Sequence, residues 1–212
     1  MRILIVSATT AEIDSYASQL TSRAGVDVLV TGVGMVATAA RCAQALALER
    51  YDVALNLGVC GSFDRALSPG TVVHVVRDRI AELGAEDGER FLTIHDLQLL
   101  DDDEFPFRAG RLVNDAPPAT AALDALPVVE GITVNTVHGN DRSIDEVARR
   151  FRPQVESMEG AAFMYACLVQ GVRFAQVRAV SNVVERRNRD AWKPKEAIDN
   201  LGVAAVDIVR AL

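Results

Sequence analysis

Tyr51-Asp-Val-Ala-Leu-Asn-Leu-Gly-Val-Cys-Gly61 is the stretch on which the fold turns. It is an aliphatic run ending in small residues, and it reads as a buried strand over 51–57 closed by a Gly58-Val-Cys-Gly61 turn. Toward the N-terminus, Val36–Glu49 is alanine-rich with helical composition, and Val26–Thr31 is a second aliphatic strand closed by Gly32-Val-Gly34. Ala11–Arg23 again has helical composition, and Arg2–Ser7 is a branched-aliphatic strand. Strand–helix–strand–helix–strand order implies parallel pairing in an α/β sheet covered on both faces. Strand ends of such a sheet converge on one face, where open α/β sheets bind ligands.

Toward the C-terminus, Gly70–Asp78 reads as a strand. Residues 84–128 are hardest to read, a surface excursion with short elements that includes the acidic run Asp101-Asp-Asp-Glu104. That run is expected to be a solvated loop. Its neighbours Phe91, Phe105 and Phe107 suit an interface or pocket lid as well as core packing. Gly131–His138 reads as a strand, Ser143–Phe151 as a helix with Ser143 as N-cap and Glu146 at the capping-box position. Val155–Met158, Gly160–Gln170 and Arg173–Val183 read as strand, helix and strand. Pro194 opens a final amphipathic helix to Leu212, where proline is tolerated in a first turn.

The 212 residues are half apolar and 24% charged, with a formal net charge of −7. They are expected to form one domain over 1–212. An acidic chain is poorly suited to a phosphate backbone or an anionic bilayer, so neither nucleic acid nor membrane is expected as partner. No apolar run approaches the roughly 20 residues of a bilayer span. The apolar opening run is too short for a signal peptide, and Glu12 and Asp14 follow it, so a cytoplasmic location is expected. Cys42, Cys60 and Cys167 include no C-x-x-C pair, and an odd number makes a poor disulfide framework. His74, His95 and His138 lie far apart, and no metal site is expected. Gly32-Val-Gly34 has Ala37 in place of a third glycine, and the first strand–helix turn, Ser7-Ala-Thr-Thr10, has no glycine, which disfavours dinucleotide binding.

Three strand ends carry polar groups in otherwise apolar sequence: Glu12, Glu159 and Asn182. Each has a local explanation, first-turn carboxylates complementing helix dipoles and a turn amide. Together they could meet in one cleft. Val155-Glu-Ser-Met-Glu-Gly-Ala-Ala-Phe163 and Val177-Arg-Ala-Val-Ser-Asn182 resemble signatures of the nucleoside phosphorylase and methylthioadenosine/S-adenosylhomocysteine nucleosidase superfamily. Glu12, Gly58-x-x-Gly61 and Pro69-Gly70 fall at matching places. The resemblance is closer still to futalosine hydrolases, through Ser157–Phe163, Asp78–Asp87 and Ser181–Asp190 followed by Trp192.

The resemblance implies a three-layer nucleoside phosphorylase-like α/β fold, with a mixed, twisted central sheet flanked by helices. It implies an N-glycosyl hydrolase, acting on futalosine in menaquinone biosynthesis and releasing hypoxanthine and dehypoxanthine futalosine. No cofactor or metal is implied, and a homo-oligomer is. By resemblance Glu12 activates water, Glu159 binds ribose hydroxyls and Met158 packs on the sugar unless it is only core, with Gly58 and Gly61 in the binding turn. The methylthioadenosine-type nucleosidases carry Asp where Asn182 stands. A 6-oxopurine offers two acceptors, N7 and O6, to which an amide can donate and an ionised carboxylate cannot. Val59 stands where those nucleosidases have serine, and no arginine accompanies the turn to hold phosphate, which favours hydrolysis over phosphorolysis. Glu185-Arg-Arg-Asn-Arg189 is the densest basic cluster, and Arg186, Arg187 or Arg189 is expected to pair with a substrate tail carboxylate unless the loop is merely solvated. Another 6-oxopurine nucleosidase or phosphorylase is the neighbouring alternative. A non-catalytic nucleoside-binding module would not need the carboxylate at Glu12.

Overall fold

A computed structural model describes residues 1–212. The chain runs β1 (Ile3–Ser7), a 3-10 turn (Thr10–Glu12), α1 (Asp14–Thr21), β2 (Val26–Val30), α2 (Met35–Leu48), β3 (Val53–Ser62) and β4 (Val72–Asp78). Then come β5 (Gly84–Asp87), β6 (Arg90–Thr93), β7 (Phe107–Arg108), β8 (Arg111–Val113), α3 (Ala121–Asp124), β9 (Val128–Thr133) and α4 (Asp141–Phe151). The last elements are β10 (Val155–Ser157), α5 (Gly160–Gln170), β11 (Arg173–Val183), a 3-10 turn (Arg189–Ala191) and α6 (Pro194–Ala211).

β1 pairs in parallel with β2 and β3, as the opening strand–helix alternation requires. The sheet is mixed: β11 is parallel to β3 and antiparallel to β4, β9 is parallel to β4 and β10, and β10 is antiparallel to the end of β3. Strands β3, β11, β4, β9 and β10 therefore form a closed ring of ladders, from which β1 and β2 extend on one side and β8 and β7 on the other. One apolar layer packs α1 and α6 on the sheet around Ile5, Leu55, Val177, Leu201 and Ile208. The opposite layer packs α2 and α5 around Leu4, Cys42, Ala54, Phe163 and Cys167. This is the expected three-layer architecture, with helices burying their apolar faces on both sides of the sheet.

Several element boundaries differ from the sequence reading. β3 does not stop at Leu57. Gly58, Val59 and Cys60 continue the ladder with Arg178, Ala179 and Val180, so the expected glycine turn is strand. β9 is Val128–Thr133 rather than 131–138, and Val134–His138 leaves the sheet as a loop. The N-cap of α4 is Asn140, not Ser143: Asn140 Oδ1 accepts the Arg142 N–H at 2.9 Å, and Glu146 pairs with Arg142 instead of reaching back to a cap. The first helix begins with the 3-10 turn and becomes α-helical only at Asp14. Residues 84–128 hold the β5–β6 hairpin, β7, β8 and α3, while Asp101–Glu104 is an exposed loop, as expected. The three phenylalanines split: Phe107 is core, Phe91 lies under the Arg150 guanidinium, and Phe105 is exposed. No helix is long and apolar enough to cross a membrane.

Candidate active site

A cavity of about 340 Å³ opens at the ends of β1, β3, β10 and β11. Glu12, Gly61, Met158, Glu159, Asn182 and Arg187 all line it. The structure thus brings together the strand-end groups that the sequence only suggested could meet. Arg186 and Arg189 are exposed and off the cavity wall, and Gly58 is buried behind it.

Glu12 sits where the 3-10 turn brings a side chain back over the end of β1. Its Oε2 accepts the Thr9 N–H and the Thr9 hydroxyl, both at 3.0 Å, which is the capping-box arrangement. Its Oε1 accepts the Val59 N–H at 3.1 Å. The backbone of Val59 thus makes a polar contact that its side chain cannot. Three donors fix a carboxylate that is 8% exposed and still forms part of the cavity wall.

Glu159 follows β10 and is also buried. Its Oε1 accepts the Gly34 N–H at 3.0 Å, and its Oε2 lies 3.4 Å from Arg178 Nη1. Gly34 has φ +95°, a conformation side-chain-bearing residues rarely adopt, so glycine is what aims this N–H at Glu159. The Gly32-Val-Gly34 turn therefore serves a carboxylate of the protein itself. Met158 is half-buried on the wall and belongs to none of the apolar clusters, which separates it from a core methionine.

Arg178 is the residue sequence reasoning missed. It is 1% exposed and donates to Asn56 Oδ1, to Gln176 Oε1 (3.2 Å) and toward Glu159. A buried guanidinium must be paired on every side, and these acceptors do so. The available signal was a charge inside the apolar run Val177–Val180, a position that demands a partner. A Cβ on Gly58 would lie 2.5 Å from Arg178 Nη1 and 3.0 Å from Glu12 Oε1, so Gly58 is glycine to let these two side chains approach from either side. Behind Arg178, the Gln176 amide donates to Asp78 Oδ2 (3.0 Å), which fixes its Oε1 toward the guanidinium. Burial pushes the Asp78 carboxyl up to about 6, against the hydrogen bonds from Gln176 and Thr133. Burial likewise pushes the Cys60 thiol, in the cavity wall, up to about 12, which leaves it unreactive.

Asn182 owes its direction to a β-bulge. Val180 pairs with Cys60 and Asn182 with Gly61, so Ser181 is an extra residue in the β11–β3 ladder. The Ser181 hydroxyl donates to Asn182 Oδ1 at 2.8 Å, and Asn182 Nδ2 donates to Val183 O at 3.0 Å. An amide nitrogen has two N–H groups, so one remains for the cavity. The Arg187 guanidinium lies 5.1 Å from the Trp192 ring centroid, and both residues line the mouth. Glu156 and His138 complete the wall. His138 Nδ1 lies 2.6 Å from Glu156 Oε2, and Glu156 Oε1 accepts the His138 N–H at 3.0 Å.

Residues 9–212 match the Phosphorylase superfamily. The chain is 35% identical over 179 residues to a futalosine hydrolase of Thermus thermophilus, covering 83% of this chain and 77% of that protein. It is 34% identical over 222 residues to a futalosine hydrolase of Acidothermus cellulolyticus, covering 93% and 86%. Among solved structures, the native futalosine hydrolase of Helicobacter pylori strain 26695 has a TM-score of 0.80 over 100% of this chain and 98% of that one, at 13% identity, a likeness of fold. The chain belongs to the phosphorylase superfamily and, within it, to the futalosine hydrolase family of N-glycosyl hydrolases.

Proposed function

We propose that the protein hydrolyses the N-glycosidic bond of futalosine, releasing hypoxanthine and dehypoxanthine futalosine in menaquinone biosynthesis. The observation that carries this reading is Asn182, whose amide keeps one N–H for the cavity at a place where a 6-oxopurine would present only acceptors. Identity to curated futalosine hydrolases supports it.

In this reading Glu12, held by three donors, takes the proton of the attacking water and steadies the positive charge that grows on the ribose. Glu159, held by Gly34 and Arg178, accepts from ribose hydroxyls. Met158 packs on the sugar. Arg187, stacked on Trp192 at the mouth, pairs with the carboxylate of the substrate tail. Arg186 and Arg189 drop out of that role because they lie off the wall.

The test is to incubate the protein with futalosine in phosphate buffer and separate the products. Hypoxanthine with a 1-hydroxy sugar supports the reading, while a sugar 1-phosphate overturns the hydrolytic assignment for this substrate. Asn182→Asp is expected to shift the preference between inosine-type and adenosine-type futalosine toward the amino form by about 100-fold, because mismatched buried polar groups are left unpaired. A wild type that prefers the amino form would overturn the role of Asn182.

A further inference from the structure

The cavity wall beside Asn182 holds an ionisable pair with no task in the reaction described so far. Glu156 is 3% exposed, and both of its oxygens are spent on His138, one on the backbone N–H and one on the ring. This double attachment fixes the imidazole, which also meets the Phe63 ring edge-on at 6.2 Å. Nε2 makes no hydrogen bond within the protein, and His138 stands between this cavity and a neighbouring one lined by Arg142 and Glu146.

The pair lies on the Asn182 side. A Cβ on Gly61 would lie 3.4 Å from Asn182 Nδ2 and 3.5 Å from Glu156 Cγ, so both side chains cross the same glycine. The Arg187 N–H donates to Gly139 O at 3.2 Å, which ties the loop after Asn182 to the loop that carries His138.

Purine departure from C1′ leaves an electron pair on the base, and a neutral base leaves far more readily than its anion. An amide can donate a hydrogen bond but has no proton to give, so Asn182 cannot supply this acid. Glu12 has the opposite duty. Arg187 does not release a proton, and Glu185 is paired with Arg65 at 3.6 Å. A histidine held at Nδ1 by a carboxylate is the group that remains, and histidine is the side chain suited to proton transfer near neutral pH.

We infer that His138 is the acid that protonates the departing purine and that Glu156 is the residue that positions it. As the C1′–N9 bond breaks, its electrons pass into the base and the Nε2 proton passes to the N7/O6 edge. The imidazole is left neutral, with Nδ1–H donated to Glu156. Water bonds to C1′ and gives its proton to Glu12, and solvent returns a proton from Glu12 to His138. One water is consumed, and a neutral base and a hydroxylated sugar are released. This rests on the base lying against Asn182.

The test compares the nucleoside that the wild type cleaves fastest with its N7-methylated form, whose ring already carries the positive charge that protonation would supply. His138→Gln is expected to lower kcat about 100-fold or more on the parent nucleoside but less than about 10-fold on the methylated one, with KM little changed. Glu156→Gln is expected to show the same pattern more weakly, and added imidazole to restore turnover of His138→Gly. Equal loss on both nucleosides marks a structural role and overturns the inference, as does full activity of His138→Gln on the parent. The base preference of the wild type reports separately on the Asn182 reading, so a failure of one is told apart from a failure of the other.

Discussion

Glu12 answers two demands with one carboxylate. It caps the 3-10 turn through Thr9 and faces the cavity, held there by Val59. One residue thus serves as a helix-start carboxylate and as part of the cavity wall. Glu12→Gln keeps the shape but cannot take a proton. It is expected to lower kcat by about 100- to 10,000-fold with little change in KM, checked by steady-state kinetics on the cleaved nucleoside. Asp78 carries a prediction about stability. Its carboxyl rises from an ordinary 3.8 to about 6 on folding. A raised acid favours folding fully below the unfolded value, and that contribution is lost as pH climbs through about 6. Between pH 4 and 8 the wild type should therefore lose up to about 3 kcal/mol relative to Asp78→Asn, since each tenfold gain in proton affinity on folding is worth roughly 1.4 kcal/mol. Denaturant titrations of both proteins at the two pH values check this, and a gap independent of pH would remove Asp78 as the cause.

The bulge in β11 is the element on which the site depends, because side chains alternate between faces along a strand. Deleting Ser181 would restore regular pairing, leave Asn182 opposite Gly61 and remove the hydroxyl that holds Asn182 Oδ1. The expected outcome is a fold with near-native circular dichroism and at least about a 100-fold loss in kcat/KM. At the other strand turn, Gly34→Ala puts a side chain at φ +95° and is expected to cost about 1–2 kcal/mol and to raise KM through Glu159. Periodicity and aliphatic runs made β1, β2, β11 and α6 legible, since each buries an unbroken apolar face. The end of β3 was not legible, because Gly58 and Gly61 serve equally in a turn and in a strand crossed by other side chains. The loop at 134–138 was read as strand because Ile132 and Val134 alternate and Val137 extends the aliphatic run, whereas hydrogen bonding to Glu156 draws His138 out of the ladder. Glu12, Glu159 and Asn182 stood out as polar groups at strand ends. Arg178 was hidden in mid-strand, where its partners Asn56 and Glu159 are more than 100 and nearly 20 residues away.

At the scale of the whole molecule, the cavity mouth is only partly covered by this chain. Val33 lines the cavity yet is 56% exposed, and Val36 beside it is 82% exposed. Apolar side chains grouped at a functional opening suit a protein interface. A second copy over this face is the expectation, so light scattering should give a mass of at least two chains, and Val36→Glu should reduce it to one with a loss of activity. A single-chain mass for the wild type would set this aside. The closed ring of strands has a further consequence in time. β3 and β4 are finished by residue 78, but the strand that lies between them begins only at Arg173. A chain synthesised at about 5–20 residues per second must therefore wait several seconds or more with these two aliphatic strands unpaired along their shared border. Over that interval the nascent chain exposes two aliphatic strand edges, and loss of the last forty residues would make the exposure permanent. Glu12 and Asn182 then meet only when β11 docks, so the cavity is completed in the same event that makes the chain safe from aggregation.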